Sequence, residues 1–189
     1  MADGTLKVGT ITTSSVSGTI TIGQSGETVD MSNATQTGVG GTNTPTFEAY
    51  LSANQTISNT TVTKMQFNTE RFDTNSAYDN STNYRFTVPS GEAGKYFIYA
   101  RTTQQTQSGS FFKLYQSKIY IYKNGSNYKN QGNYNNNSSQ PINQTLGISA
   151  TMDLSVGDYI EIFGWTESGD GSGGQFNSNS YFGAYKLIG

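Results

Sequence analysis

The sequence predicts an all-β protein, an eight- to ten-stranded β-sandwich or jelly roll preceded by a short extended β-rich segment. Three observations predict it. Short runs of alternating apolar and polar residues recur along the chain, each closed by Asn, Ser, Pro or Gly. Gly, Ser, Thr and Asn, at 22, 22, 26 and 18 copies, supply 88 of the 189 residues, while charged residues are only 13%. An ordinary domain carries about 25% charge, so few ion-pair-laced helices can be built from this chain. All 24 aromatic residues, 10 Phe, 13 Tyr and 1 Trp, lie from Phe47 onward, which confines the material for a packed core to one stretch.

That confinement sets a domain boundary. Residues 1–44 hold Leu6, Val8, Ile11, Val16, Ile20, Ile22, Val29, Met31 and Val39 as their only large apolar side chains, diluted by Thr, Ser and Gly. The Thr19-Ile20-Thr21-Ile22 alternation and the spacing of Gly9, Gly18, Gly23 and Gly26 read as brief strands that need a partner for their apolar face. The partner is expected to be copies of the same segment wound around an axis, or another protein; a Gly/Ser-type linker is the plain alternative. Gly38 to Pro45 reads as a hinge, and residues 45–189 as the main domain.

Within that domain the strands follow in order. Phe47 to Leu51 alternates, Val62 to Phe67 does so approximately, and Tyr84 to Val88 strictly. Lys95 to Ala100 and Leu114 to Tyr122 are apolar or aromatic on both faces, as in strands covered on both sides. Asn124-Gly125 is a type I′ hairpin signal, because both central positions of that turn take positive φ. Gly157-Asp158, between Val156 and Tyr159-Ile160-Glu161-Ile162-Phe163, reads as a second such turn, and Tyr181 to Ile188 as the closing strand.

Composition also excludes functions. With no His and no Cys, imidazole and thiolate metal sites, disulfides and every triad with a histidine base are ruled out. A net charge of −2 gives no basic field for nucleic acid. No apolar run reaches the roughly 18 residues of a membrane span, and the start of the chain lacks the pattern of a signal peptide, so a soluble chain without membrane insertion is expected.

The ordered motifs resemble those of a known family. Phe47 and Ala49, Phe67, Phe72-Asp73, Tyr78-Asp79, Phe86 with Val88-Pro89, Gly94-Lys95-Tyr96-Phe97, Lys123-Asn124-Gly125, Leu154 to Ile160, and Phe182-Gly183-Ala184-Tyr185-Leu187 together resemble the globular head of the first complement component and its tumour necrosis factor-like relatives. The resemblance covers about three quarters of the chain and implies a ten-stranded jelly roll assembled as a compact trimer. It also implies Asp73 and Asp79 as candidates for a cation near the trimer axis, although whether a metal is bound stays open. The chain departs from the pattern in having neither cysteine nor a collagen-like stalk. Residues 5–12 and 18–23 are similar to the openings of bacteriophage fibre-like virion proteins.

Other constellations are weighed against plainer readings. Asp153, Asp158 and Glu161 offer paired carboxylates of the kind used in glycoside hydrolysis, but Asp158 reads as a turn residue and Glu161 as a strand residue facing solvent. Glu167, Asp170 and the glycines of 169–174 offer oxygen ligands for a hard cation, against an ordinary flexible loop. Tyr128 and Tyr134, set among amides between Asn124 and Gln144, are glycan or receptor contact candidates, against a solvated hairpin.

The expected function is therefore a non-enzymatic phage virion protein without cofactor, a homotrimeric tail-fibre or appendage protein. Residues 1–44 meet other virion proteins, and the head contacts a host surface glycan or protein. Tyr99, Tyr120, Tyr122 and Tyr185 are the trimer-interface candidates. A head-decorating or baseplate protein, a glycan-cleaving depolymerase and a lectin-like module are the alternatives.

Overall fold

The computed structural model describes residues 43–107, 113–135 and 141–187, with positions 25, 26 and 28. The chain divides into two compact units, Met1–Val39 and Gly40–Gly189, and the strands expected within residues 1–44 lie outside the described residues.

The described residues form thirteen strands and no helix. They are β1 (Thr46–Tyr50), β2 (Gln55–Ile57), β3 (Thr63–Lys64), β4 (Thr69–Asp73), β5 (Tyr78–Asp79), β6 (Arg85–Thr87) and β7 (Gly94–Thr106). Then come β8 (Leu114–Lys123), β9 (Ser126–Tyr134), β10 (Asn143–Leu154), β11 (Tyr159–Ser168), β12 (Gly174–Phe176) and β13 (Tyr181–Lys186). The first sheet runs β2-β12-β7-β13-β1-β4, with β10 along the other edge of β7; the second runs β5-β6-β11-β8-β9, with β3 beside β11. Together they make the expected antiparallel jelly-roll sandwich.

Alternation on β7 explains how the sheets face each other. Tyr96, Ile98, Ala100, Thr102, Gln104 and Thr106 are buried, while the residues between them face outward. The core they enter grades along its length. At one end Phe47 stacks on Tyr78 (ring centroids 4.7 Å) and Phe86 (5.2 Å) and meets Phe182 edge-on (4.9 Å). Ile98, Ile119, Ile121, Ile148, Ile160 and Ile162 fill the middle. At the far end polar side chains mix with the apolar Ile57, Leu114 and Phe176, and Thr102, Gln104, Ser117, Thr166 and Ser180 are fully buried. Gln104 crosses between the sheets to donate to the Lys118 carbonyl at 2.7 Å. At the aromatic end the phenols find backbone partners, as buried hydroxyls must. Tyr78 donates to the Phe67 carbonyl (3.0 Å) and Tyr96 to that of Glu92 (2.6 Å). Burial pushes the Tyr96 hydroxyl up to about 12.

The Asn124-Gly125 hairpin is present, with φ of 51° and 76° at its two residues, and it joins β8 to β9. The second turn is a correction. Gly157 takes φ of 84° and the Asp158 N–H donates to the Ser155 carbonyl at 3.0 Å, but β10 belongs to the first sheet and β11 to the second. The turn therefore carries the chain across the sandwich instead of closing a hairpin. The approximate alternation of Val62 to Phe67 yields only the two-residue β3, although Met65 and Phe67 are buried as expected.

The two turns are tied together. Asp158 accepts from the Asn124 side chain (2.8 Å) and the Ser155 N–H (2.9 Å) and pairs with Lys123 (2.8 Å). The Lys123 hydrogen bond, then those of Asn124 and Ser155, lower its carboxyl to about 2. A lowered folded-state value means stability present above the unfolded value near 4 and lost as pH falls through about 2. Asp158→Asn is expected to destabilise the protein by about 1–2 kcal/mol at pH 6, allowing for partial exposure. In denaturant titrations the difference from the wild type should shrink steadily from pH 4 to pH 2; a pH-independent difference would show that the charge is not what stabilises the turns.

Candidate functional site

The outer face of the first sheet carries the largest connected set of ring contacts outside the core. Phe97 and Tyr99 alternate with buried residues on β7, and Tyr181 and Tyr185 do the same on β13. Their rings form a chain, with Tyr185 to Phe97 at 5.5 Å, Phe97 to Tyr99 at 6.1 Å and Tyr99 to Tyr181 at 6.3 Å. All four are half-buried within the single chain.

A glycine makes this face continuous. Gly183 sits between Tyr181 and Tyr185 on β13, paired with Tyr99 on one side and Glu48 on the other. A Cβ there would come within 2.4 Å of the Tyr99 ring and 2.9 Å of the Phe47 carbonyl. With no side chain in the way, Tyr99 lies across β13 and donates its hydroxyl to Glu48 Oε2 on β1 at 2.9 Å. The other Glu48 oxygen accepts from Arg71 of β4, whose guanidinium lies 5.4 Å from the centre of the Tyr50 ring. Burial first, and then the Glu48 carboxylate that accepts its proton, push the Tyr99 hydroxyl well above its ordinary value. Tyr99 is a neutral donor at any physiological pH.

The four tyrosines expected at an interface divide between two faces. Tyr99 and Tyr185 come together through Phe97 on the first sheet. Tyr120 and Tyr122 lie on the outer face of the second sheet, 6.1 Å apart, with Tyr122 against Phe163 at 4.3 Å. There cations cover the neighbouring rings, with Lys118 4.6 Å from the Trp165 ring and Lys64 5.8 Å from that of Phe163. Tyr128 and Tyr134 stand on β9, a strand exposed on both faces, at 52% and 68% exposure.

The carboxylates singled out in the sequence hold the backbone. Asp79 accepts from the N–H groups of Ser81, Thr82 and Asn83 and from the Asn83 side chain, and these bonds lower its carboxyl far below the usual range. Asp73 caps the N–H groups of Ala77 (3.1 Å) and Tyr78 (2.9 Å). Asp170 accepts from Ser168 and Ser172, which orders the loop expected to be flexible. Glu161, expected to face solvent, is buried: β3 pairs alongside β11 and brings Lys64 onto it at 2.5 Å. Among the described residues no group of three or more acidic side chains could hold a metal ion.

Sequence reasoning missed Glu48, Arg71, Arg101, Tyr181 and Gly183. Only the alternation of Tyr181 with Tyr185 across Gly183 hinted at them, because the contacts that unite them span from 23 residues of chain, Glu48 to Arg71, to 135, Glu48 to Gly183.

No protein-family description matches the chain, and no curated protein matches it. Solved structures do. The globular domain of zebrafish complement 1qA is similar over 76% of this chain and 97% of its own, with TM-score 0.53 and 14% identity. Murine APRIL at pH 5.0 is similar over 75% and 98%, with TM-score 0.54 and 10% identity. Eiger TNF from S. frugiperda is similar over 75% and 90%, with TM-score 0.55 and 10% identity. At such identities the likeness shows the fold, and it agrees with the resemblance drawn from the ordered motifs.

Gly183→Val is expected to force the Tyr99 ring off β13 and cost about 1–3 kcal/mol, the range for overpacking. Gly147→Val on β10, where a Cβ meets nothing within 4 Å, serves as the control and should change stability little. Thermal melts of the two variants check this, and equal losses would overturn the role given to Gly183.

Proposed function

We propose that this chain is a non-enzymatic structural protein of a phage virion, a homotrimeric appendage whose jelly-roll head contacts the host surface and whose residues 1–44 join it to other virion proteins. The observation that carries the proposal is the aromatic outer face of the first sheet. Half-buried Phe97, Tyr99, Tyr181 and Tyr185 form a connected apolar patch, and patches of this kind mark association surfaces. Tyrosine suits such a face because its body is apolar and its tip polar. A closed ring of three uses two different patches on each chain, and the exposed β9 edge with Tyr128 and Tyr134 is available beside the aromatic face.

A non-enzymatic role is supported by the carboxylates. Asp158 and Glu161, the best acid and base candidates, are committed to turn capping and to an ion pair. The fold likeness to complement and tumour necrosis factor-type domains supports assembly, and the polar, cysteine-free composition with the phage-like opening supports the virion setting.

Light scattering on the full chain is expected to give three times the 20.4 kDa chain mass. Phe97→Asp and Tyr185→Asp should each reduce it to the monomer, while Tyr120→Asp on the other sheet should leave the trimer intact. A wild-type monomer would overturn the assembly, and absence of the chain from purified particles by mass spectrometry would overturn the virion role.

A further inference from the structure

The aromatic face ends in a groove. Where β7, β10 and β13 run side by side, the register sets Gly147, Arg101 and Tyr181 in one row across the three strands. Gly147 contributes no side chain, and a Cβ there would stand in open space, so the row is walled by a ring on one side and open on the other. Lys129 of β9 closes one end, held by a hydrogen bond from its ammonium to the Ser149 carbonyl at 2.8 Å. The resulting open groove has a volume of about 430 Å³ and is also lined by Tyr99 and Ser149.

Its chemistry is one-sided. Arg101 and Lys129 bring two positive charges, and no acidic side chain lines the groove. Arg101 is exposed and makes no hydrogen bond, ion pair or ring contact with any described residue. Nearby acids are committed or distant. Glu48 is shared between Tyr99 and Arg71. Asp153 is six residues along β10 from Gly147, about 20 Å at strand rise. An Arg fork with its donors free, in one groove with an ammonium, matches the chemistry of a carboxylate, sulfate or phosphate group. A chain of net charge −2 that gathers two cations without a counter-charge has a site complementary to an anion.

We propose that this groove binds an oxyanion, with the Arg101 guanidinium as its principal ligand, Lys129 as the second charge, and the Tyr181 ring and open Gly147 floor admitting the group that carries it. The site adjoins the face proposed for assembly. Resting on that reading, the inference adds that the oxyanion strengthens association: joining copies over this face removes Arg101 from water, and a buried charge without a partner opposes that step.

Titration calorimetry of the full chain with sodium sulfate, sodium phosphate, glucuronate and glucose at constant ionic strength tests the proposal. Saturable binding of an oxyanion and none of glucose is expected. Arg101→Gln and Gly147→Phe, the second filling the groove without touching its charges, should each weaken binding at least tenfold while leaving the melting curve in chloride unchanged. Equal binding of all three anions identifies a small oxyanion as sufficient; glucuronate alone identifies an acid carried on a sugar. No saturable binding, or binding indifferent to Arg101→Gln, would overturn the site. If the wild type binds but scatters as a monomer, the assembly reading fails and the groove stands; if it is a trimer that binds no anion, only the groove fails.

Discussion

Period-two alternation along β7 is the constraint on which the rest of the molecule depends. This thirteen-residue strand pairs with β10 along one edge and with β13 and then β12 along the other. Its even-numbered residues build the core, and its odd-numbered residues, Phe97, Tyr99 and Arg101, define the outer face. A slip of one residue would exchange the two sets, placing Arg101 inside and Ile98 in water. Twelve paired positions with β10 and the buried Tyr96, Ile98 and Ala100 make such a slip prohibitive. The tyrosine row and the groove are thus by-products of the register that forms the core.

The polar side chains follow from a shortage of charge. With 13 acids and 11 bases, the chain makes limited use of surface ion pairs, which contribute little in general, the Lys123–Asp158 pair at the two turns aside. It uses carboxylates to accept several N–H groups each: Asp79 at 81–83, Asp73 at 77–78, Asp158 at the crossing between sheets. At Asp79 and Asp158 these bonds hold the carboxyl below its ordinary value, which makes each a poor general acid. Glu161 is committed by another route, buried against Lys64 in an ion pair. Long loops between short strands become ordered without a larger apolar core.

Much of the fold was legible because aromatic residues mark the strands: Phe47, Phe86, Tyr96 and Phe182 are all buried, and their segments are all strands. Where small or amide residues replace them the signal fades. β10 alternates strictly, with Leu146, Ile148, Ala150, Met152 and Leu154 on the core side and Thr145, Gly147, Ser149, Thr151 and Asp153 outside, but it holds no aromatic residue to mark it, and β9, exposed at every residue, has no readable period. The candidate face was only half legible. Tyr99 and Tyr185 are recognisable as interface residues by type, but that Tyr120 and Tyr122 face the opposite way is decided by which sheet β8 joins. Glu161 failed as a solvent-facing residue because β3, which sets Lys64 beside it, is two residues long and lies about a hundred positions away.

Tyrosine suits this face to the proposed association better than leucine or isoleucine would. Before association a row of aliphatic side chains would favour indiscriminate sticking, whereas phenol tips keep the face wetted. In the proposed assembly each buried hydroxyl would need an acceptor, and Tyr99 already has one in Glu48, which in turn has Arg71. That network is satisfied within one chain and demands nothing from a partner. Arg101 is the exception, since its charge lies on the same face with no internal answer. With Lys129 beside it in the groove and no acid lining it, Arg101 gives this face a positive end, which sets the electrostatic requirement on any group that would cover it.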